Sequence, residues 1–215
     1  MVAEHVKHLL VVTHPEATHH VEDRVGGWHD SALTTRGLAQ AERIAERLRD
    51  TISRDSLPEI YTSDLRRCLQ TAEVIASRLH APVHASRDLR EVSYGEAEGR
   101  PQVWLDARYV FPPADGNTRR LDHRFGITGA ETRRDVAERL YRAMNTILAS
   151  PAEHQVIVTH GFALTFVVAA WIGMPLEYAG MIGLPVSSGS ITTLRQEPPF
   201  SNRSLLTLND VSHLA

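Results

Sequence analysis

This chain of 215 residues has one cysteine, Cys68, and one lysine, Lys7. A single cysteine excludes an intramolecular disulfide and any zinc site built from paired cysteines. Of the 23 lysine and arginine residues, all but Lys7 are arginine, so nearly every cation is a planar, permanently charged fork suited to phosphate or carboxylate. Neither sign of charge dominates: the formal net charge of -3 gives no basis for binding nucleic acid or an acidic membrane surface. A long hydrophobic run is also missing. The longest, FALTFVVAAWIGM at 162–174, falls short of the ~20 residues a membrane span needs and is closed by Pro175. The early apolar run HLLVV is too short for a signal-peptide core and no small-residue cleavage site follows. These absences lead to the expectation of a cytoplasmic protein without nucleic-acid or membrane partners.

No repeat, low-complexity tract or linker divides the chain, which predicts one domain over residues 1–215. Strand and helix signals alternate. Leu9 to Val12 is a short, continuous apolar run, as expected of a strand buried on both faces. Leu38, Ala41, Ile44, Ala45 and Leu48 follow at helical spacing, and EIYTS at 59–63 reads as a second strand. Leu65, Cys68, Ala72, Ile75, Ala76 and Leu79 mark a second amphipathic helix starting near Ser63 or Asp64. Residues 100–130, with FPPADGN in their midst, read as a helical stub and a mobile lid. Thr132 and Asp135 predict a capping box opening a further helix. QVIVTH reads as a third buried strand running into an apolar helix from Gly161, and GSITTLRQ and RSLLTLN as closing strands. This alternation predicts an α/β fold, a three-layer α/β/α sandwich on a mostly parallel sheet, with chemistry at the carboxyl ends of the strands.

Applied to this chain, that rule gathers four side chains. The first strand ends at Thr13-His14, the third buried strand at Thr159-His160, and TSDLRRC brings Arg66 and Arg67 to the start of a helix at the same edge. LREVSYGEAEG adds Glu91. A neutral imidazole can attack phosphorus, splitting a difficult displacement into two steps. Cations and helix N-termini can hold the equatorial oxygens, and a carboxylic acid can protonate the leaving oxygen. His14 as nucleophile, Arg67 and His160 as charge clamp and Glu91 as acid fill those posts without a cofactor.

These segments resemble the motifs of the histidine phosphatase superfamily, the phosphoglycerate mutase-like fold. YTSDLRRCLQTAEVIA is similar to the family's Ser-x-Leu-x-Arg-Ala-x-x-Thr-Ala helix, which assigns the motif arginine to Arg67 rather than Arg66. LREVSYGEAEG resembles the acid-bearing segment, VTHG the second-histidine motif, and TGAET the Gly-Gly-Glu-Ser turn before the last long helix. GGWHDSALTTRGLAQAERIAERL resembles the segment following the family's Arg-His-Gly motif. The resemblance implies a phosphatase hydrolysing a small phosphomonoester through a phosphohistidine. Because the 100–130 lid is short for the mutase branch, it favours hydrolysis over transfer within a sugar acid.

The departure lies in the motif itself, which reads Thr13-His14-Pro15, and His20 stands where the family commonly has a phosphate-contacting asparagine. Loss of one charge-assisted bond is worth ~1.5–3 kcal/mol, or roughly 10- to 100-fold. The Thr13 hydroxyl, a protonated His20, or Arg24 would compensate, with Gly27 expected in the same phosphate-binding loop. Two other classes stay open: the fold recruited to a transferase or lyase step with His14 as base, and a binding protein that has lost turnover. Arg119, Arg120, His123 and Arg124 on the lid offer a second anion site or a solvated basic loop. His14, His19, His20 and His29 invite a metal reading, but no i, i+4 ligand pair and no nearby cysteine or carboxylate motif supports it, so no metal is expected. The expected partner is a small phosphorylated molecule, and a homodimer is left open.

Overall fold

The computed structural model describes residues 6–53, 55–198 and 202–215. Its six strands are β1 (Lys7–Thr13), β2 (Glu59–Ser63), β3 (Val83–Ser86), β4 (His154–Thr159), β5 (Ile191–Gln196) and β6 (Arg203–Asp210). They form one sheet in the order β3-β2-β4-β1-β5-β6. The first four strands of that order run parallel, and β5 pairs antiparallel with both β1 and β6. The closing strands read from the sequence are therefore the antiparallel edge of the sheet.

Side chains alternate across a strand, and β1 shows the consequence. Leu9 and Val11 enter one buried cluster, Leu10 and Val12 the other. Against the second cluster pack α2 (Thr35–Thr51) and α3 (Arg66–Leu79), through Ile44, Leu48, Cys68 and Ile75. On the opposite face lie α6 (Arg133–Ala149) and α7 (Gly161–Trp171). Three layers result. Helix α7 is apolar almost all round because it is buried almost all round, which explains the long hydrophobic run. Among the described residues no helix is long and apolar enough to cross a membrane.

Local chemistry sets the helix starts. The Thr34 hydroxyl accepts from the Gly37 N–H, opening α2. Thr132 and Asp135 form the expected capping box of α6. Helix α3 starts later than expected, with Leu65 as an N-cap that offers no side-chain acceptor. A four-residue helix, α1 (Thr18–Val21), follows β1.

The segment 100–130, expected as a helical stub and a lid, is anchored in the core. It holds α4 (Gln102–Asp106) and α5 (Asn117–Leu121), and Leu105, Leu121, Phe125 and Ile127 are buried in the core beneath α6 and α7. Its four apolar anchors outweigh the Pro- and Gly-rich stretch between them.

Candidate active site

Strand order decides which residues meet. β4 lies between β2 and β1, with Thr13 in register with Thr159 and Thr62 with Val158. Three neighbouring strands thus end side by side. His14 leaves β1, His160 leaves β4, and β2 leads through Ser63 to Arg67 in the first turn of α3. All three side chains are buried.

Arg67 is the hub. Its Nε donates to His14 Nε2 at 3.1 Å and its Nη2 to His160 Nδ1 at 3.2 Å. The remaining contacts go to backbone: Nη2 to the Gly27 carbonyl at 2.7 Å and Nη1 to the His29 carbonyl at 2.8 Å. Arg66, one residue earlier, is exposed. His14 Nδ1 lies 2.9 Å from the Pro15 carbonyl, an acceptor only, so Nδ1 carries the proton and Nε2 keeps its lone pair. On His160, Nδ1 accepts from Arg67, so Nε2 carries the proton and donates to Ser63 Oγ at 2.9 Å. Both imidazoles are held well below the ordinary histidine pKa, first by burial and then by the Arg67 charge. They are neutral at pH 7, as a nucleophile must be.

Glu91 reaches the rim differently. It caps α7: Oε1 accepts from the N–H groups of Val92 and Ala163, and Oε2 from that of Phe162. Burial pushes its carboxyl above the usual range, against those N–H donors and the Arg67 and Arg139 charges. Its backbone is fixed too, since the Glu91 carbonyl accepts from Trp28 Nε1 and Arg139 Nη2, both at 2.7 Å. Arg139 is in turn held by the Glu131 carboxylate, which accepts from Nε and Nη2 along one edge of the guanidinium.

A model of the histidine phosphatase superfamily, branch 1, matches residues 9–210. The chain belongs to this superfamily. It is 32% identical over 212 residues to a probable phosphoglycerate mutase, GpmB, of Proteus mirabilis, covering 96% of this chain and 94% of that one. Among solved structures it is similar to mycobacterial glucosyl-3-phosphoglycerate phosphatase, at a TM-score of 0.74 and 27% identity over 95% of this chain and 99% of the other. YhfR of Bacillus stearothermophilus matches at a TM-score of 0.75 and 28% identity, over 97% of this chain and 100% of the other. Membership supports a phosphatase or mutase enzyme.

In this superfamily member the residues expected to replace the motif arginine are placed as follows. Thr13 turns away from His14: its hydroxyl donates to the Ser187 carbonyl at 2.7 Å and accepts from the Ser190 N–H at 3.0 Å. The expectation of a free hydroxyl there is corrected, because the loop before β5 uses both its donor and an acceptor site. Arg24 is exposed, paired with Glu22 and bonded to the Gly99 carbonyl, with no contact to the His14 cluster. Gly27 turns its carbonyl to Arg67. Its positive φ of 46° and the nearness of Val92 and Tyr94 explain glycine at this position.

His20 does lie at the site, its ring stacked on that of His14 at 5.5 Å. Burial and the Arg67 charge lower its pKa, so the expected protonated His20 is disfavoured. Its Nδ1 accepts from the Ala17 N–H, leaving Nε2–H as a neutral donor. The basic residues of 100–130 are tied locally: Arg119 to Asp115, Arg120 to the Pro113 and Gly180 carbonyls, His123 to the Val110 carbonyl and Arg124 to the Ala130 carbonyl.

His14, His19 and His20 each bring one ring nitrogen within 4.8 Å of the others, the nearest approach to a metal shell among the described residues. The free lone pair of His14, however, already faces the Arg67 Nε–H, and a permanent cation there opposes a divalent ion. Sequence reasoning missed Ser63, whose hydroxyl sets the His160 tautomer, and the Pro15 carbonyl, which sets that of His14. A hydroxyl at the last position of a strand aimed at the active rim was the available signal for Ser63.

Proposed function

We propose that this protein hydrolyses a small phosphomonoester through a phosphohistidine on His14. The observation that carries the reading is the His14 Nε2 lone pair, freed by the Nδ1–Pro15 bond and facing Arg67 at 3.1 Å, with His160 on the same guanidinium. An incoming phosphoryl group takes over the Arg67 donors now spent on the two imidazoles. The Nε2 lone pair then attacks phosphorus, and the ester P–O bond breaks with its electron pair leaving on the alkoxide oxygen. Glu91, its carboxyl raised by burial, gives that oxygen a proton. In the second step water attacks phosphorus, the P–N bond breaks with its pair returning to Nε2, and the Glu91 carboxylate takes the proton lost by water. Alcohol and inorganic phosphate are released.

The neutral His20 Nε2–H supplies part of the field that an arginine at position 13 supplies in relatives with the full motif, while the Phe162 and Ala163 N–H groups at the start of α7 are taken by Glu91. A neutral donor is not a bidentate cation, so slow turnover with generic substrates is expected. The test is hydrolysis of p-nitrophenyl phosphate by the wild type and by His14→Ala, with an acid-labile phosphoryl label trapped by rapid quench. Label on the wild type and none on the variant supports the reading. Turnover that survives His14→Ala overturns it. Binding of phosphate with no turnover over hours would place the protein among ligand-binding members instead.

A further inference from the structure

Beside the catalytic cluster lies a cleft of about 460 Å³ walled by Arg133, Phe162, Thr165, Leu184 and Val186. It adjoins the proposed leaving-group side, since Phe162 donates its N–H to Glu91 Oε2 and Gly161, directly after His160, forms its rim. Apart from the Thr165 hydroxyl, which accepts from the Leu184 N–H, its wall is apolar except for one feature. Arg133, the first residue of α6, is 8% exposed and has no carboxylate partner among the described residues. Its Nη2 donates to the carbonyls of Ala179 and Ile182, while its Nε is buried without any partner. No hydrogen bond from Nη1 is seen among the described residues. Burial, and then the charge of a second cation, Arg120, lower its pKa. The rings of Phe162 and Phe166 lie 5.0 and 5.4 Å from the guanidinium carbon and soften the burial of the charge without neutralising it. A buried guanidinium with spare donors and no counter-ion is half of an ion pair.

We propose that the cleft receives the leaving group of the phosphomonoester, and that Arg133 binds a carboxylate on it, so that the preferred substrates are organic phosphates with an apolar body and a carboxylate. The inference rests on the phosphatase reading and names the substrate class of that same site. Phe162, Leu184 and Val186 hold the apolar body, and Arg133 supplies the charge-assisted bonds, worth about 10- to 100-fold in discrimination.

The experiment compares kcat/KM for 4-carboxyphenyl phosphate and phenyl phosphate in the wild type, in Arg133→Met and in Arg133→Lys. The expected result is a preference of at least about 10-fold for the carboxylated ester, lost in Arg133→Met and partly kept in Arg133→Lys. Equal rates on both esters in the wild type, or a preference unchanged in Arg133→Met, overturns the proposal. If Arg133→Met does not fold, the wild type alone decides it through benzoate and its neutral isostere benzamide. Benzoate binding at least about 10-fold more tightly, alongside inorganic phosphate rather than in competition with it, supports the assignment. Equal binding, or displacement of benzoate by phosphate, overturns it. Should neither ester turn over, the phosphatase reading has failed, and the same benzoate measurement still tests the cleft.

Discussion

Acid should unfold this protein through the imidazoles it buries, and His19 allows the size of the effect to be worked out. His19 is 7% exposed, its Nδ1 lies 2.6 Å from Ser31 Oγ, and its ring packs 4.0 Å from that of His20. Burial, with the neighbouring His20 and Arg67 charges, brings its pKa from 6.5 down to about 3. Across that window the unfolded chain holds a proton here and the native chain does not. The His19 contribution is therefore fully present above pH 6.5 and is lost as the pH falls towards 3. At pH 5 the gap from 6.5 is about 1.5 units, and at 1.36 kcal/mol per unit His19 alone removes about 2 kcal/mol. His14 and His160 shift in the same direction and steepen the fall. Against a domain stability of about 5–15 kcal/mol, that loss is visible in a urea titration followed by tryptophan fluorescence between pH 8 and pH 5. His19→Asn keeps a polar group beside Ser31 but cannot titrate, so it should flatten the profile by about 2 kcal/mol between pH 7 and pH 5. A wild-type midpoint independent of pH, or a His19→Asn profile parallel to the wild type, refutes the reasoning.

Two further outcomes follow from single contacts. Ser63→Ala leaves the buried Nε2–H of His160 with only Cys68 Sγ, a weak acceptor at 3.4 Å, which should cost about 1–3 kcal/mol in urea unfolding and make nitrogen-15 spectra of that ring report mixed tautomers. Gly37→Ala should destabilise by more than about 2 kcal/mol, because a Cβ there overlaps the Glu16 carbonyl where α2 crosses the loop after His14; a melting temperature within a degree of the wild type would contradict this.

The amino-acid pattern determined the elements and their type. Continuous apolar runs made β1 and β4, helical spacing made α2, α3 and α6, and the Thr132–Asp135 pair marked the start of α6 to the residue. These signals are local, carried by side chains within a turn or a strand of one another. The four principal candidate residues were legible for a related reason, since each stands at or just beyond the end of an element whose periodicity is plain. The anchoring of the 100–130 segment was not legible in the sequence, because its Pro and Gly content is a local signal, while the burial of Leu105, Leu121 and Phe125 depends on surfaces of α6 and α7 far along the chain. What became of Thr13, Arg24 and Gly27 was likewise undetermined by sequence. Whether a hydroxyl or guanidinium reaches a phosphate depends on which carbonyls lie closer, and for Thr13 the deciding partners stand more than 170 positions away. Only the tertiary structure could decide it, as it decided that Arg133 is a cation without a counter-ion, because the pairing of a buried polar group is settled by packing between distant segments.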